Sequence, residues 1–280
     1  MTANKAQEDY WASPAGLKWI EHEQALDTAM AGMLGVVLDA ARIEEGDRVL
    51  DVGCGTGAST LATARRASHG HVVGNDISRP LLDRARSRAS AEGVTNTSFL
   101  LADAQSHPFE QHAFDVLVSR IGMSFFSDSV AAFENLSNAL KPNGRMAFVG
   151  WAAVDRNPWF YIPKKAAEAR LGGLPKGDPR APGPTAFQDI DYVVALMSRA
   201  GLATIEAKPV EVFLTPPGGA PGGARAASRV GPAARIMKAH QGDAADEAGI
   251  EAAVREAFLR YEENGEARVP ALVNLFTCTT

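Results

Sequence analysis

The stretch VLDVGCGTGAST, residues 49–60, changes character twice within a few residues. It begins as an apolar run, passes through glycines at alternate positions, and continues with small residues that suit a helix. This order predicts a strand, a tight turn and a helix. At such a junction, unpaired backbone N–H groups and the helix dipole favour a ligand with anionic or hydrogen-bond acceptor groups. A plain turn that only requires positive φ would use the same glycines, so other residues must decide between the two hypotheses.

Further apolar runs of strand length follow the glycine loop. They are HVVGND (71–76), SFLLAD (98–103), FDVLVS (114–119) and RMAFVGW (145–151). Segments with helical periodicity lie between them, and Ser78 is the expected N-cap of the helix that follows HVVGND. Alternating strands and helices predict an α/β, Rossmann-like fold, a mostly parallel sheet with helices on both faces.

The remaining part of the chain is interrupted after residue 151 by a segment rich in Pro and Gly, which we expect to form a cap over the sheet edge. A helix near 192–201 and a strand near 206–214 follow, then an excursion with two short helices and a closing strand near 271–279. We therefore predict one domain, residues 1–280. Its parts are an N-terminal lid (1–42), a cofactor-binding core (43–151), a cap insertion (152–186) and the C-terminal part of the sheet (187–280), with the helical excursion at about 216–266.

Composition excludes several classes of protein. The 280 residues carry a net charge of -5, which gives no attraction to nucleic acid. No run approaches the roughly 20 apolar residues that span a bilayer, and the two cysteines are too few for a disulfide scaffold. These features predict a cytoplasmic protein without membrane insertion, nucleic acid or metal. The composition does not decide between a monomer and a homodimer.

Acidic residues stand at the ends of three consecutive predicted strands. Asp51 precedes the glycines, Asp76 ends the second strand, and Asp103 ends the third. An acid in the position of Asp76 can accept both hydroxyls of a ribose, and Asp103 can accept from an exocyclic amine such as that of adenine. Each could instead cap a helix, but together they favour an adenosine-containing cofactor. The G-x-G-x-G spacing differs from the G-x-G-x-x-G of nicotinamide dinucleotide sites.

In this order, DVGCGTG, VVGNDIS, LLADAQ, FDVLVSRIGMSFF and LKPNGRMAFVGW resemble the motifs of class I S-adenosylmethionine-dependent methyltransferases. More narrowly, they resemble the branch that includes the ubiquinone and menaquinone biosynthesis C-methyltransferases. YWASPAGLKWIEHEQALD (10–27) is similar to the N-terminal lid of bacterial small-molecule methyltransferases. The resemblance covers nearly the whole chain and implies a seven-stranded sheet whose last strand lies antiparallel between the fifth and sixth.

The resemblance also implies roles for individual residues. The glycine loop would cradle the methionyl group, Asp76 would bind the ribose, and Asp103 with the Ala104 amide would read the adenine edge, against which Ile77 packs. Ser119 and Arg120 would lie beside the sulfonium and the methionyl amine. The complete predicted set of cofactor contacts is Tyr10, Trp19, Asp51, Gly53, Cys54, Gly55, Thr56, Gly57, Asn75, Asp76, Ile77, Asp103, Ala104, Gln105, Ser119, Arg120 and Ile121.

Aromatic residues concentrate in the two segments that resemble lids, where they would enclose an apolar chamber for the methyl acceptor. The predicted acceptor pocket consists of Trp11, Met123, Trp151, Trp159 and Tyr161. These side chains could equally be ordinary core packing.

Methyl transfer from a sulfonium mainly needs alignment of the acceptor and exclusion of water, so no catalytic side chain is assigned. If a base or charge stabiliser is used, the candidates are His22, Arg120 and Tyr161, with Glu21 beside them. The predicted function is therefore methylation of a small organic acceptor at an unassigned O, N or C atom, with S-adenosylhomocysteine as the product. The alternatives are a catalytically silent subunit that binds S-adenosylmethionine, and a nicotinamide oxidoreductase. The second is opposed by the glycine spacing.

Overall fold

A computed structural model describes residues 4–175 and 177–280 of the chain, so the first three residues of the predicted lid and Lys176 of the cap lie outside the described residues. The strands are β1 (Arg48–Val52), β2 (His71–Asp76), β3 (Thr97–Leu101), β4 (Phe114–Arg120), β5 (Leu140–Trp151), β6 (Ala203–Leu214), β7 (Glu262–Glu263), β8 (Glu266–Ala267) and β9 (Val269–Thr279). The α-helices are α1 (Lys5–Ala12), α2 (Pro14–Glu21), α3 (Glu23–Ala29), α4 (Ala31–Ala41), α5 (Ala58–Arg66), α6 (Arg79–Ala91), α7 (Ser129–Ala139), α8 (Pro158–Leu171), α9 (Ile190–Arg199), α10 (Gly219–Arg229), α11 (Pro232–Ala239) and α12 (Ala244–Phe258).

The central sheet has seven strands in the order β3-β2-β1-β4-β5-β9-β6. Strands β1 to β5 pair in parallel, and β9 runs antiparallel to both of its neighbours, β5 and β6. This topology confirms the predicted Rossmann-like sheet and the predicted place of the last strand. Strand order reverses between β1 and β4, and the carboxyl ends of parallel strands at such a reversal form the usual ligand crevice of open α/β sheets.

Two hydrophobic clusters lie in the described part of the fold. One joins α4 and the C-terminal helices to β1, β4 and β5, and includes Met33, Val37 and Val149. The other contains Phe133, Phe148, Phe187 and Phe276, whose rings lie 5.0 to 6.2 Å apart where they contact. Burial of both faces fixes the sheet and therefore the positions of the strand ends.

The excursion before β9 contains three α-helices, α10 to α12, and not the two short helices expected from the sequence. The additional helix, α10, contains four glycines or prolines, which lower its intrinsic propensity. It is helical nevertheless because Ala220, Ala224 and Ala227 are buried, and a Cβ on Gly223 would lie 3.3 Å from the ring of Phe258 in α12. Tertiary packing thus overrides local propensity here. Within residues 4–175 and 177–280, no helix combines the length and apolarity needed to cross a bilayer.

Candidate functional site

The glycine loop after β1 has all three glycines in the left-handed region, with φ of +69° at Gly53, +55° at Gly55 and +91° at Gly57. A Cβ on Gly57 would lie 2.9 Å from the Cβ of Ala85, so this glycine allows α5 to begin close to α6. A Cβ on Gly55 would have no atom within 4 Å, although it would be strained by the backbone angle. Gly55 therefore faces open space and provides the part of the loop that a ligand can approach.

Asp51 lies at the carboxyl end of β1 and is completely buried. Its Oδ2 accepts hydrogen bonds from Ser59 Oγ and Thr60 Oγ1, both at 2.6 Å. Its Oδ1 has no partner among the described residues. Burial raises the pKa of this carboxyl to about 6, although the two hydroxyls and the charge of Arg120 act in the opposite direction. A buried carboxylate with an empty acceptor position thus stands directly before the glycine loop.

Arg120 ends β4, next to β1 in the sheet, and its side chain is only 9% exposed. One guanidinium nitrogen, Nη2, donates to Asp27 Oδ1 on α3 at 3.1 Å. The other, Nη1, is buried and has no acceptor among the described residues. Because buried charged atoms are costly when unpaired, the empty positions of Asp51 and Arg120 indicate a ligand that carries both a cationic donor and an anionic acceptor.

The segment after Arg120 packs directly on the glycine loop. Ser119 Oγ donates to the carbonyl of Val52 at 2.7 Å, and a Cβ on Gly53 would lie 2.7 Å from the Cα of Gly122. Between them Ile121 has a φ of +76°, an unusual conformation for a β-branched residue. The predicted contacts Ser119, through its hydroxyl, and Ile121, through its backbone conformation, therefore hold this segment against the glycine loop.

Asp76 lies at the end of β2, as predicted, and is 8% exposed. Its carboxylate accepts one backbone N–H on each oxygen, from Gly55 and from Ser78, both at 2.8 Å. Burial raises the pKa of Asp76, whereas these backbone hydrogen bonds lower it. The backbone N–H of Ile77 also lowers this pKa. A carboxylate can accept about four hydrogen bonds, so Asp76 keeps acceptor capacity for a ligand.

Ser78 occupies the N-cap position of α6, but its side chain makes no capping hydrogen bond. The hydroxyl donates instead to the carbonyl of Trp11 in α1, at 3.1 Å. This hydrogen bond connects the sheet edge to the lid. A capping rule considers only partners within the helix, so it does not predict Trp11.

Asp103 lies beyond the end of β3 and is 6% exposed. It binds Asn4 twice: the Asn4 backbone N–H donates to Oδ2 at 3.1 Å, and the Asn4 carboxamide donates to Oδ1 at 2.8 Å. The backbone N–H of Gln105 also donates to Oδ1, at 3.0 Å. Three of about four acceptor positions of Asp103 are thus used within the chain.

Several other predicted cofactor contacts hold the crevice together. Asn75 donates to the carbonyls of Leu100 and Ala102, and Gln105 Oε1 accepts from Asn4 Nδ2 at 3.0 Å. Both oxygens of Thr56 accept from Arg88 at 3.2 Å. Ile77 is partly buried beside Asp76, and Ala104 is 4% exposed beside Asp103.

Cys54 is buried, and its thiol pKa is raised well above the ordinary value by burial and by the negative charges of Asp76 and Asp51. A protonated thiol is a poor nucleophile, so we interpret Cys54 as a small residue of the loop without a chemical role.

The predicted aromatic residues fall into two separate groups. Trp11, Trp19 and Phe125 form an edge-to-face cluster at the crevice, with Trp11 6.0 Å from Trp19 and 5.5 Å from Phe125 between ring centroids. Tyr10 packs against Trp11 but is 47% exposed.

The second group lies at the end of β5 and on α8. Trp151 and Trp159 are 2% and 1% exposed and pack on Phe160 and Phe258, so they belong to the hydrophobic core of this structure. Met123 is also buried, at 1%. Tyr161 is 43% exposed.

The candidates for a base or charge stabiliser are dispersed. Only Arg120 borders the glycine loop. His22 precedes α3 with its Nε2 3.9 Å from the largely exposed Glu21 carboxylate, and Tyr161 lies on the outer face of α8.

Sequence reasoning also missed the long-range contacts that Asn4, Asp27 and Arg88 make with predicted site residues. Asp27 Oδ2 accepts from Arg88 at 2.8 Å while its Oδ1 binds Arg120. The sequence carries no local signal for these contacts, because each joins segments far apart in the chain. Among the described residues, no group of three or more His, Cys, Asp or Glu is arranged to hold a metal ion.

Comparison with known proteins places residues 49–144 in a family described as "Methyltransferase domain". An uncharacterised protein of Mycobacterium tuberculosis is 33% identical over 135 residues, 48% of each chain. The demethylmenaquinone methyltransferase of Thermus thermophilus is 38% identical over 174 residues, which cover 59% of this chain and 79% of the relative. In the first of these relatives the match spans about half of the protein's length.

A similar fold occurs in the phosphoethanolamine N-methyltransferase 2 of Haemonchus contortus, solved with phosphomonomethylethanolamine and S-adenosylhomocysteine. The two chains superpose with a TM-score of 0.60 at 16% identity, over 100% of this chain and 60% of the other. At this identity the likeness concerns the fold alone.

Proposed function

The chain belongs to the class I S-adenosylmethionine-dependent methyltransferases, in the group of the ubiquinone and menaquinone biosynthesis methyltransferases, and we propose that it methylates a small organic acceptor. The observation that carries this proposal is the pair of buried, unpartnered atoms at the glycine loop, Oδ1 of Asp51 and Nη1 of Arg120. A methionyl group carries an ammonium and a carboxylate, the two partners that these atoms lack. Their chemistry favours a cofactor with an amino-acid end over a nicotinamide dinucleotide.

The adenosine end fits the neighbouring strand ends. Asp76 keeps acceptor capacity for a ribose hydroxyl, and Gly55 leaves the space beside it open. Ile77, Asp103 and Ala104 are the residues that we assign to the adenine, with Asp103 accepting from its amine. The residues present therefore fit S-adenosylmethionine.

The bound cofactor would supply an electrophilic methyl group on a sulfonium, and the protein would align the acceptor and exclude water. Asp51 and Arg120 would hold the amino-acid end and so fix the direction of the methyl group. Arg120 is itself held by a hydrogen bond to Asp27 on α3 of the lid. The position of the lid would therefore affect the orientation of the methyl group. No general base is assigned, because Asp51 and Asp76 are given to the cofactor and, of His22, Arg120 and Tyr161, only Arg120 borders the loop, where its guanidinium cannot accept a proton.

The acceptor that we propose is small and partly aromatic or otherwise apolar. The support is the cluster of Trp11, Trp19 and Phe125, which gives the lid side of the crevice an aromatic surface. The relative from Thermus thermophilus, named for demethylmenaquinone, is consistent with that chemical class. The net charge of -5 argues against nucleic acid as the acceptor.

The cofactor assignment is tested by calorimetric titration with S-adenosylhomocysteine. Asp76→Ala should weaken binding by about 1.5 to 3 kcal/mol, roughly 10- to 150-fold, because it removes hydrogen bonds to a charged group. The matched control is Asp83→Ala, which removes an exposed aspartate of α6 that pairs with Arg86 and should bind as the wild type does. Equal affinity of all three proteins, or binding of NADH in place of S-adenosylhomocysteine, would contradict the assignment.

Turnover is tested separately by incubating the protein with methyl-labelled S-adenosylmethionine and a metabolite extract. We expect label in the small-molecule fraction. Cofactor binding without label in any fraction would instead support a subunit that binds the cofactor without turnover, and label confined to protein or RNA would overturn the acceptor class.

A further inference from the structure

Arg88 lies on α6, and its side chain reaches the glycine loop. The helix approaches the loop closely, since a Cβ on Gly57 would lie 2.9 Å from the Cβ of Ala85, and Arg88 follows Ala85 by three residues on the same helix face. The Nη1 of Arg88 donates to the carbonyl and to the hydroxyl oxygen of Thr56, both at 3.2 Å. The side chain of Arg88 is 19% exposed and Thr56 is buried, so this contact is largely shielded from water.

The contact fixes the peptide group between Thr56 and Gly57. Its carbonyl accepts from Arg88, and its N–H donates to the carbonyl of Cys54 at 2.9 Å. On the other side of Thr56, the N–H of Gly55 is held by the carboxylate at the end of β2. Both glycines beside Thr56 have positive φ, and glycine has the widest conformational freedom of all residues. Arg88 is therefore one of the groups that restrict a loop of flexible composition to a single conformation.

The same guanidinium shares its counter-ion with Arg120. Asp27 Oδ2 accepts from Arg88 Nη1 at 2.8 Å, and Asp27 Oδ1 accepts from Arg120 at 3.1 Å. Carboxylate oxygens of Glu23 and Glu92 lie 3.8 and 3.9 Å from Arg88 and balance its charge further. One carboxylate thus holds both the arginine that binds the loop and the arginine whose Nη1 is unpartnered in the crevice.

We propose that Arg88 is a positioning residue for the methyl donor, and that it acts through Thr56 and not by contact with the cofactor. The inference rests on the proposed function, because it takes the glycine loop as the cradle of the methionyl group. A loop that is already held in its binding conformation loses less conformational entropy when the ligand binds. The shared carboxylate of Asp27 keeps Arg120 in a fixed position relative to this loop.

The first test is a calorimetric titration with S-adenosylhomocysteine. Arg88→Met keeps the apolar stem and removes the donors, and should bind about tenfold more weakly than the wild type, because binding must then order the loop. Arg84→Met is the matched control. Arg84 lies one turn earlier in α6 and binds Glu23 of α3, but it makes no hydrogen bond to the glycine loop among the described residues, so this variant should bind as the wild type does. Equal weakening in both variants would assign the effect to the packing of α3 on α6 and overturn the positioning role.

A double-mutant cycle tests the route through Thr56. Thr56→Val replaces the hydroxyl by a methyl group and removes one of the two acceptors that Thr56 offers to Arg88. It should weaken binding in the wild-type background and have little further effect in Arg88→Met, because the interaction is already lost there. Additive losses would show that the two residues act independently, which contradicts the proposal.

A positioning role changes cofactor affinity and not the methyl-transfer step. With methyl-labelled S-adenosylmethionine and the metabolite extract, Arg88→Met should need about tenfold more cofactor for half-maximal transfer and reach the wild-type rate at saturation. A lower rate at saturation with unchanged half-saturation would indicate a structural defect and overturn the positioning role.

Arg88→Lys serves if Arg88→Met does not fold. It keeps the positive charge beside the three carboxylates, but its shorter side chain and single ammonium lose the contact with Thr56, so binding should weaken by at least about threefold. Wild-type affinity in a folded Arg88→Met protein, or in Arg88→Lys if only that variant folds, overturns the positioning role and leaves the cofactor assignment intact. Absence of S-adenosylhomocysteine binding by both the wild type and Arg84→Met overturns the cofactor assignment itself.

Discussion

Asp51 combines full burial, two short hydrogen bonds on one oxygen and none on the other. Its pKa of about 6 lies above the ordinary value of 3.8, so the folded protein binds more protons than the unfolded chain between these values. The contribution of Asp51 to the free energy of unfolding therefore decreases as pH rises from about 4 to 6 and is constant above that. A positively charged ligand group beside Oδ1 would offset the cost of burying the ionised carboxylate. Carboxyl groups with a raised pKa are common at functional sites.

The pH dependence of cofactor binding follows from this titration. An ammonium group binds the ionised carboxylate better, so affinity for S-adenosylhomocysteine should fall as pH is lowered from 7 to 5, with an apparent pKa near 6. The limiting slope should be about tenfold per pH unit. Calorimetry at several pH values should show this slope in the wild type and not in Asp51→Asn. The same slope in both proteins would assign the titration to another group, such as Asp76.

Helix α3 illustrates how the lid and the core are connected at the scale of an element. Its Asp27 binds two arginines from different elements, Arg88 of α6 and Arg120 of β4, at 2.8 and 3.1 Å. The side chains of Asp27, Arg88 and Arg120 are 15%, 19% and 9% exposed, so the network is screened less than a surface ion pair. The seven-residue α3 is too short to be stable alone, and these contacts help to fix it.

Replacement of Asp27 by Asn should lower the free energy of unfolding by about 1 to 3 kcal/mol, because the buried Arg120 loses its ion-pair partner and Arg88 loses the nearest of its three carboxylates. Asp39→Asn is the matched control: Asp39 on α4 pairs with Arg66 at 2.7 Å but is 75% exposed, and its loss should cost less than about 1 kcal/mol. Urea unfolding measures both. Equal effects of the two substitutions would show that the Asp27 network contributes no more than a surface pair.

On the scale of the whole molecule, the C-terminal helices form a layer that closes the core beside β5 and β9. Trp159 of α8 stacks on Phe258 of α12 with ring centroids 6.0 Å apart, and Trp151 at the end of β5 meets Phe160 at 4.6 Å. The cap and the helical excursion, which are separated in the sequence by β6, therefore share one apolar interior. This packing determines which aromatic side chains are available to a ligand.

Trp159→Ala should consequently act on stability, with a loss of about 3 to 5 kcal/mol from the free energy of unfolding, as for other fully buried large side chains. Tyr161→Ala changes the same helix at a 43% exposed position and should cost less than about 1 kcal/mol. Urea unfolding separates these outcomes. If the Trp159→Ala protein is stable and binds the cofactor but transfers no label, Trp159 contributes to the acceptor chamber and not to stability.

The sequence by itself determined the sheet, the glycine loop and the three aspartates at the strand ends. These features are encoded locally: strand and helix periodicities span a few residues, and parallel strands bring their carboxyl ends to one edge whatever the details of packing. Only the tertiary structure decided that Asn4 binds Asp103, that Asp27 binds Arg120, and that Trp159 is buried against Phe258. The two hydrogen-bonded pairs are 99 and 93 residues apart. Such contacts leave no periodic trace, because they depend on how lid and cap helices pack on a sheet that has already formed.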